Sequence, residues 1–245
     1  MAYDNSARQA RAQQTRRAVL TAAALAFLEH GYGGTTIRGV AEAAGVSPET
    51  VYKTFRNKVT LLKAVYDVTL AGDDEQVPIP QRPEAVAVRA ATTPGEAAAA
   101  YAKLSRMISS HIGPLLNVVI GARGTDPDLD AFVRQIDSER LIGAAMLTRL
   151  WHERGWLKAA MEMGADTGTP ADHARDVMWT LNSPTVYRLL KDRGWSDAAY
   201  ETWLTATIVA TILDEQAANA TPRNAGSTGR SLGSSVAFTV DGSHQ

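Results

Sequence analysis

Apolar residues return every three or four positions along most of this chain, and the pattern is sharpest across Thr35 to Phe55, TTIRGVAEAAGVSPETVYKTF. Ile37, Val40, Ala41 and Ala44 share one helical face, and Gly45 can take the positive φ that ends a helix. A second helix starts at once. Ser47 is placed to cap its free N–H groups, Pro48 suits the first helical position, and Val46 and Val51 occupy the two positions of a hydrophobic staple. Val51 and Phe55, four residues apart, would hold this helix against the first, leaving Pro48, Glu49, Thr50, Lys53 and Thr54 outward. Two short helices joined through glycine are a way of presenting the second helix to DNA, although all-helical enzymes contain such pairs too.

The remaining pattern is also helical and predicts an all-α fold. Val19, Leu20, Ala23, Leu25, Ala26 and Phe27 make an apolar surface on a helix from Arg16 to Glu29, which braces the pair. Leu61, Leu62, Val65 and Val68 mark a helix from Lys58 to about Leu70 that leads into a larger region. GDDEQVPIPQRP then reads as a loop, with a short helix possible across Glu84 to Ala91. Cap and proline pairs at Thr93–Pro94, Asp126–Pro127 and Thr169–Pro170 open three further helices. The expected spans are Pro94 to Ser110, a separate Pro114 to Ile120, and Pro127 to about Glu153 with Trp156, Leu157 and Met161 folding over its end. A pair from Pro170 to Arg193, interrupted at Ser183 and Pro184, and from Ser196 to about Ala218 completes the bundle. Beyond Ala218 the composition turns small and polar, and the final SVAFTV has strand propensity without a partner strand.

Charge divides the chain. Up to Tyr66 there are nine Lys or Arg against four Asp or Glu, a balance of +5, whereas the remainder carries sixteen against twenty-two, a balance of -6. A basic amino-terminal unit suits a phosphate backbone. The resulting division is a flexible basic arm over 1–12, a helix-turn-helix DNA-binding domain over 13–66, a larger helical domain over 67–218, and a flexible tail over 219–245; the family resemblance given below implies that the larger one is an effector-binding and dimerisation domain. The arm either reaches into a minor groove or is a solvated tail.

Chemistry of other kinds finds little support. The chain has no cysteine, which excludes disulfides and thiolate metal sites. Its five histidines, at 30, 111, 152, 173 and 244, have no paired ligand spacing, and neither a nucleophile elbow nor a phosphate loop is present. No catalytic residue, metal or cofactor is expected. The absence of a signal-like or membrane-spanning apolar run predicts a cytoplasmic protein with no membrane partner.

From Arg17 to about Tyr66 the sequence closely resembles the TetR family of bacterial transcriptional regulators, through FLEHGYGGTTIRGVAEAAGVSPETVYKTFRNKVTLLKAVYD. The resemblance implies that the third helix enters the major groove with Ser47, Pro48, Glu49, Thr50 and Lys53, that Thr36, Tyr52 and Lys58 meet phosphates, and that Phe55 is core. Val59 stands where the family usually has an acidic residue, which would weaken a cap on the fourth helix. RGWLKAA, DVMWTLNSPTVYRLLKDRGWS and YETWL resemble one branch of the family more loosely, and bear on architecture rather than on the ligand. Family behaviour implies a small effector that releases the regulator from its operator.

Within the larger domain Leu104, Met107, Ile108, His111, Trp151, Trp179 and Asn182 are expected to line a cavity for a mainly apolar molecule, with His111 and Asn182 as polar anchors. The same aromatics also fit a plain core. Trp203, Leu204, Thr207, Ile208, Thr211 and Ile212 form a stripe assigned to a homodimer interface, although a stripe so regular also fits a helix facing its own core. The expected function is a ligand-responsive repressor, dimeric on a double-stranded, palindromic operator. The alternatives are an architectural or weakly specific DNA-binding protein without a small ligand, and a helical protein-interaction dimer.

Overall fold

A computed structural model describes residues 2–72, 79–159 and 168–219. Ten α-helices and two short 3₁₀ turns occupy these residues, and the only strand-like pairing among them is an isolated antiparallel bridge between Leu157 and Leu213. The fold is all-α, with an amino-terminal helix-turn-helix and a larger helical bundle behind it.

Helix α1 runs Ala2–Gly34 and bends at Gly31, whose φ of 67° and ψ of 179° are open to glycine and strained for other residues. It continues back through residues 2–12, where the sequence predicts an irregular arm, because SARQARAQQTRR contains good helix formers and no glycine or proline. Helices α2 (Ile37–Ala43) and α3 (Pro48–Phe55) follow the expected pair closely: Ile37, Val40, Ala41, Val51 and Phe55 are buried, and Gly45 has φ 67°. Ser47 accepts a hydrogen bond from the Thr50 N–H at 3.3 Å. Helix α4 (Lys58–Ala71) is capped by Asn57, whose Oδ1 accepts from the Thr60 N–H at 2.8 Å. The asparagine before the helix thus does the capping, despite Val59 in the usual acidic position.

After a 3₁₀ turn at Ile79–Gln81, α5 (Pro83–Ala90) leads to α6 (Pro94–Gly121), one helix of 28 residues where the sequence predicts two. Pro114 lies inside it and removes one backbone donor. Continuous burial of Ile112, Leu115, Leu116 and Val119 offsets that loss and carries the helix through. Helix α7 (Pro127–Glu153) matches its expected span, and Gly155 ends it with φ 68°. Helices α8 (Pro170–Leu181) and α9 (Pro184–Asp192) are divided at Ser183 and Pro184 as the sequence predicts. Helix α10 (Asp197–Thr211) stops earlier than expected, because Leu213 turns aside to pair with Leu157. There the Lys158 N–H donates to the Ile212 carbonyl and the Asp214 N–H to the Trp156 carbonyl. Met161 and SVAFTV lie outside the described residues.

The core has two parts, and they do not meet at residue 66. One joins Val19 through Tyr66 to Ile112, Leu115, Leu116 and Val119 of α6 and to Leu129, Phe132, Val133 and Ile136 of α7. The other gathers α5, the first half of α6, the second half of α7 and α8 to α10 around Trp151, Met178, Tyr200, Leu204 and Ile208. Ile108 packs against both. The far half of α6 and the near half of α7 therefore share a core with the helix-turn-helix, which makes α6 a rigid connection between the two packing units.

Candidate nucleic-acid interface and effector site

Helix α3 buries Val51 and Phe55 and turns Glu49, Tyr52 and Lys53 to solvent, with Pro48 and Thr50 partly covered. Thr50 Oγ1 lies 3.2 Å from the Ser47 hydroxyl, so the two are oriented by each other at the start of the helix. The Glu49 backbone N–H, followed by the Ser47 hydroxyl, holds the exposed Glu49 carboxyl below its ordinary pKa. Thr36 caps α2 by accepting from the Gly39 N–H at 3.1 Å, which leaves its side chain at the surface. Tyr52 is the exposed aromatic side chain of α3, with 53% of its surface free. Ser47, Pro48, Glu49, Thr50, Tyr52, Lys53 and Thr36 are thus gathered at the exposed side of the helix pair. Two exposed arginines nearby, Arg38 on α2 and Arg56 just after α3, are absent from the sequence-based set. Their only signal is the positive charge itself. Arg56 also has φ 61°, an uncommon conformation for a residue other than glycine.

Lys58 is arranged differently from the expected phosphate ligand. Its ammonium donates to the Tyr32 carbonyl at 2.8 Å and the Thr35 carbonyl at 3.2 Å, and sits 4.1 Å from the Tyr32 ring centre. The carbonyls at the end of α1 need donors, and a cation there is favoured. Two of the three ammonium donors are used inside the protein, so Lys58 is first a brace between α4 and the turn after α1.

A joint extends from that brace into the larger body. The Tyr32 hydroxyl donates to Asp126 Oδ2 at 2.5 Å, while Asp126 Oδ1 accepts from the Asp128 N–H at 2.9 Å at the start of α7. One carboxylate therefore starts α7 and pins the turn that precedes α2. The Tyr32 hydrogen bond holds the Asp126 carboxyl below its usual range, and burial, then the Asp126 bond, pushes the Tyr32 hydroxyl pKa up.

The expected effector residues separate into two groups. Trp151 is wholly buried, Leu104 nearly so, and Met107, Ile108, Trp179 and Asn182 are partly covered. The Tyr101 ring meets Trp151 edge-on at 6.3 Å, and its hydroxyl accepts a short hydrogen bond from Asn182 Nδ2. Asn182 Oδ1 accepts from Arg140 Nη2 at 3.2 Å; the same nitrogen donates to the Trp179 carbonyl at 2.8 Å, and the guanidinium lies 5.0 Å from the Trp179 ring centre. Trp151, Tyr101, Asn182, Arg140 and Trp179 form one connected cluster. Burial lowers the Arg140 pKa and raises that of Tyr101 to about 12. Tyr101 and Arg140 do not stand out in the sequence, because neither lies on an apolar stripe.

His111 does not belong to this group. The buried line of α6 runs through Ser105, Ser109, Ile112 and Leu116, and His111 falls beside it, exposed. It rests instead on the end of α4, where a Cβ built on Gly72 would lie 2.6 Å from its ring. The interface stripe needs a similar correction: Leu204, Ile208 and Ile212 are completely buried within the protomer and belong to its own core. Trp203 and Thr207 are partly covered on the flank, and Thr211 is exposed. The outward face of α10 is made of Ala199, Thr202, Ala206 and Ala210. Thr202, Ala206 and Ala210 border an open groove of about 790 Å³ shared with Ala99 and Lys103 of α6.

Among the described residues no cluster of three or more His, Cys, Asp or Glu side chains could hold a metal ion, and no helix is long and apolar enough to cross a membrane.

A capped, outward-facing second helix on a basic helix-turn-helix defines the class: a DNA-binding transcriptional regulator. The profile described as "Bacterial regulatory proteins, tetR family" matches residues 19–65, so the amino-terminal helix-turn-helix is similar to that family's. It is 28% identical over 184 residues to the HTH-type transcriptional regulator YdeS of Bacillus subtilis (strain 168), an overlap of 74% of this chain and 80% of YdeS. Among solved structures it resembles NalD, the secondary repressor of the MexAB-OprM multidrug efflux pump in Pseudomonas aeruginosa, with a TM-score of 0.62 and 18% identity over 83% of this chain and 98% of that one. A complex of SmeT with triclosan is similar at a TM-score of 0.61 and 19% identity, covering 83% and 93% of the two chains. Likeness at these identities concerns the fold.

Proposed function

We propose that this protein is a dimeric repressor that reads a roughly palindromic operator with α3 and is released from it by a small, mainly apolar effector. The observation that carries this reading is the shared core: the α6 and α7 segments that pack the helix-turn-helix are continuous with those that build the Tyr101–Arg140–Trp179 cluster. In this reading residues 13–66 bind DNA, residues 67–218 bind the effector and the second subunit, and 219–245 form a tail. Lys53 and Thr50 face base edges, with Ser47, Pro48 and Glu49 at the helix start. Thr36, Tyr52, Arg38 and Arg56 meet phosphates. Lys58 holds the turn in place and keeps one donor for a phosphate. Two recognition helices then lie about 34 to 36 Å apart, one turn of DNA. The complex of SmeT with triclosan supports a small ligand, and NalD, itself a repressor, supports the sign of regulation. A non-enzymatic role in the cytoplasm belongs to the same reading.

Effector binding beside α6 would displace Ile108 and, through the same helix, the core under the helix-turn-helix. The Tyr32–Asp126 bond is the polar part of that transmission. Ligand and operator affinities are then reciprocally coupled. Operator titrations with and without apolar small molecules test the reading, and equal operator affinity across a panel that includes a demonstrated binder contradicts release by ligand. Tyr32→Phe should leave operator affinity without ligand nearly unchanged and remove much of the ligand response, which for coupled sites amounts to about 5- to 150-fold. An unchanged response would place the transmission elsewhere.

Lys53→Ala should relax preference at one operator position, costing about 1 to 3 kcal/mol of discrimination against the wrong base. Equal losses on specific and random duplexes would instead make Lys53 a backbone contact. Selection from random DNA separates a regulator from a loosely specific binder, since the latter enriches no palindrome.

A further inference from the structure

The Tyr101–Asn182–Arg140 cluster contains more donors than acceptors. The indole N–H groups of Trp151 and Trp179 are buried and have no partner among the described residues, and the Trp151 side chain is fully enclosed. The Tyr101 hydroxyl accepts from Asn182, and no acceptor for its own proton is found among the described residues. Both indoles and the hydroxyl connect to one guanidinium: Trp151 stacks edge-on with Tyr101, Tyr101 joins Asn182, and Asn182 and Trp179 join Arg140.

Arg140 is also incompletely balanced. Asp137 approaches it at 3.5 Å through Nη1, but the other Asp137 oxygen accepts from Arg123 at 3.0 Å. The two arginines share a single carboxylate, so Arg140 has only part of one counter-charge. Only 18% of the Arg140 side chain is exposed, so its guanidinium is held largely away from water. Buried donors without acceptors are costly, and a ligand that supplies acceptors recovers that cost. An arginine with a planar, partly used fork favours a carboxylate above other acceptors.

We infer that the effector site recognises an apolar or aromatic carboxylate, with its charged end on Arg140 and the indole and Tyr101 donors, and its body among Leu104, Met107 and Ile108. The inference rests on the effector reading above and specifies the ligand class for that site. It also changes the anchors from His111 and Asn182 to Arg140 with Asn182 orienting it.

Three probes sharing one ring system separate the possibilities: 2-naphthoate, 2-naphthylmethanol and 2-naphthylmethylammonium, each titrated calorimetrically into the full chain. The carboxylate should bind at least about 10-fold tighter than the alcohol, with the cation weakest, in keeping with a charge-assisted pair. Arg140→Gln should remove that preference, bringing carboxylate and alcohol affinities together. Arg140→Lys keeps the charge without the fork, retains part of the preference, and serves as the second variant if Arg140→Gln misfolds. Equal binding of the alcohol and carboxylate, or preference for the cation, overturns the carboxylate assignment and leaves an effector site standing. Binding of none of the three removes the effector reading at this cluster and the assignment with it.

Discussion

Phe132→Ala should destabilise the helix-turn-helix although residue 132 lies far outside it. The Phe132 ring meets Tyr66 of α4 edge-on at 5.5 Å and is buried with Val65, Leu62 and Ile136 in the core shared with α1 to α4. Removing a buried phenylalanine leaves a cavity and costs about 3 to 5 kcal/mol. Because the core is shared, that loss spreads to α1 through α4, and operator binding falls with it. Denaturant unfolding followed by circular dichroism measures the cost, while amide hydrogen exchange locates it. Unaltered protection of α1 to α4 would mean that the helix-turn-helix folds independently of α7. Phe55→Ala, within the helix-turn-helix, is the matching control.

The second large effect concerns assembly. Ala206→Glu should yield a folded monomer whose operator affinity is lower by about 10² to 10⁴, the range by which joining two binding modules exceeds one. The change places a charge on the outward face of α10, between Thr202 and Ala210, the face of small residues that we propose packs against the second subunit. Leu204→Ala provides the contrast. Leu204 is fully buried in the protomer, so its truncation should cost about 2 to 5 kcal/mol of protomer stability without directly removing an interface contact. Light scattering and unfolding curves distinguish the two outcomes. A dimeric Ala206→Glu protein with undiminished operator affinity would exclude this face of α10 from the interface.

The DNA-binding unit is more legible in the sequence than the site behind it, for a physical reason. Ser47, Pro48, Gly45 and Thr36 act on their own neighbours, through caps and backbone conformations that extend no more than a few residues. The same holds for the caps at Thr93, Asp126 and Thr169, each of which opens the helix expected from it. The Tyr101–Arg140–Trp179 cluster is built otherwise. Asn182 reaches Tyr101 across 81 positions and Arg140 across 42, and no local pattern marks either pairing. Helical spacing from Leu104 and Ile108 points to His111, but that residue lies just beside the stripe that becomes buried. Pro114 suggests a helix break, and the apolar surface on both sides of it prevails. On α10, periodicity identifies the stripe through Leu204, Ile208 and Ile212 and cannot distinguish the protomer core from a partner.

The sequence by itself determined the all-helical class, most helix boundaries, the outward face of α3 and the basic character of its surroundings, because caps, periodicity and charge are local properties. Tertiary structure decided which surface each stripe meets. It bound Lys58 to the end of α1, joined Tyr32 to Asp126 across 94 positions, extended the core of the helix-turn-helix into α6 and α7, and placed Arg140 among unpaired donors. These arrangements depend on chain reversal and packing, which bring together side chains whose separation in sequence carries no periodic signal.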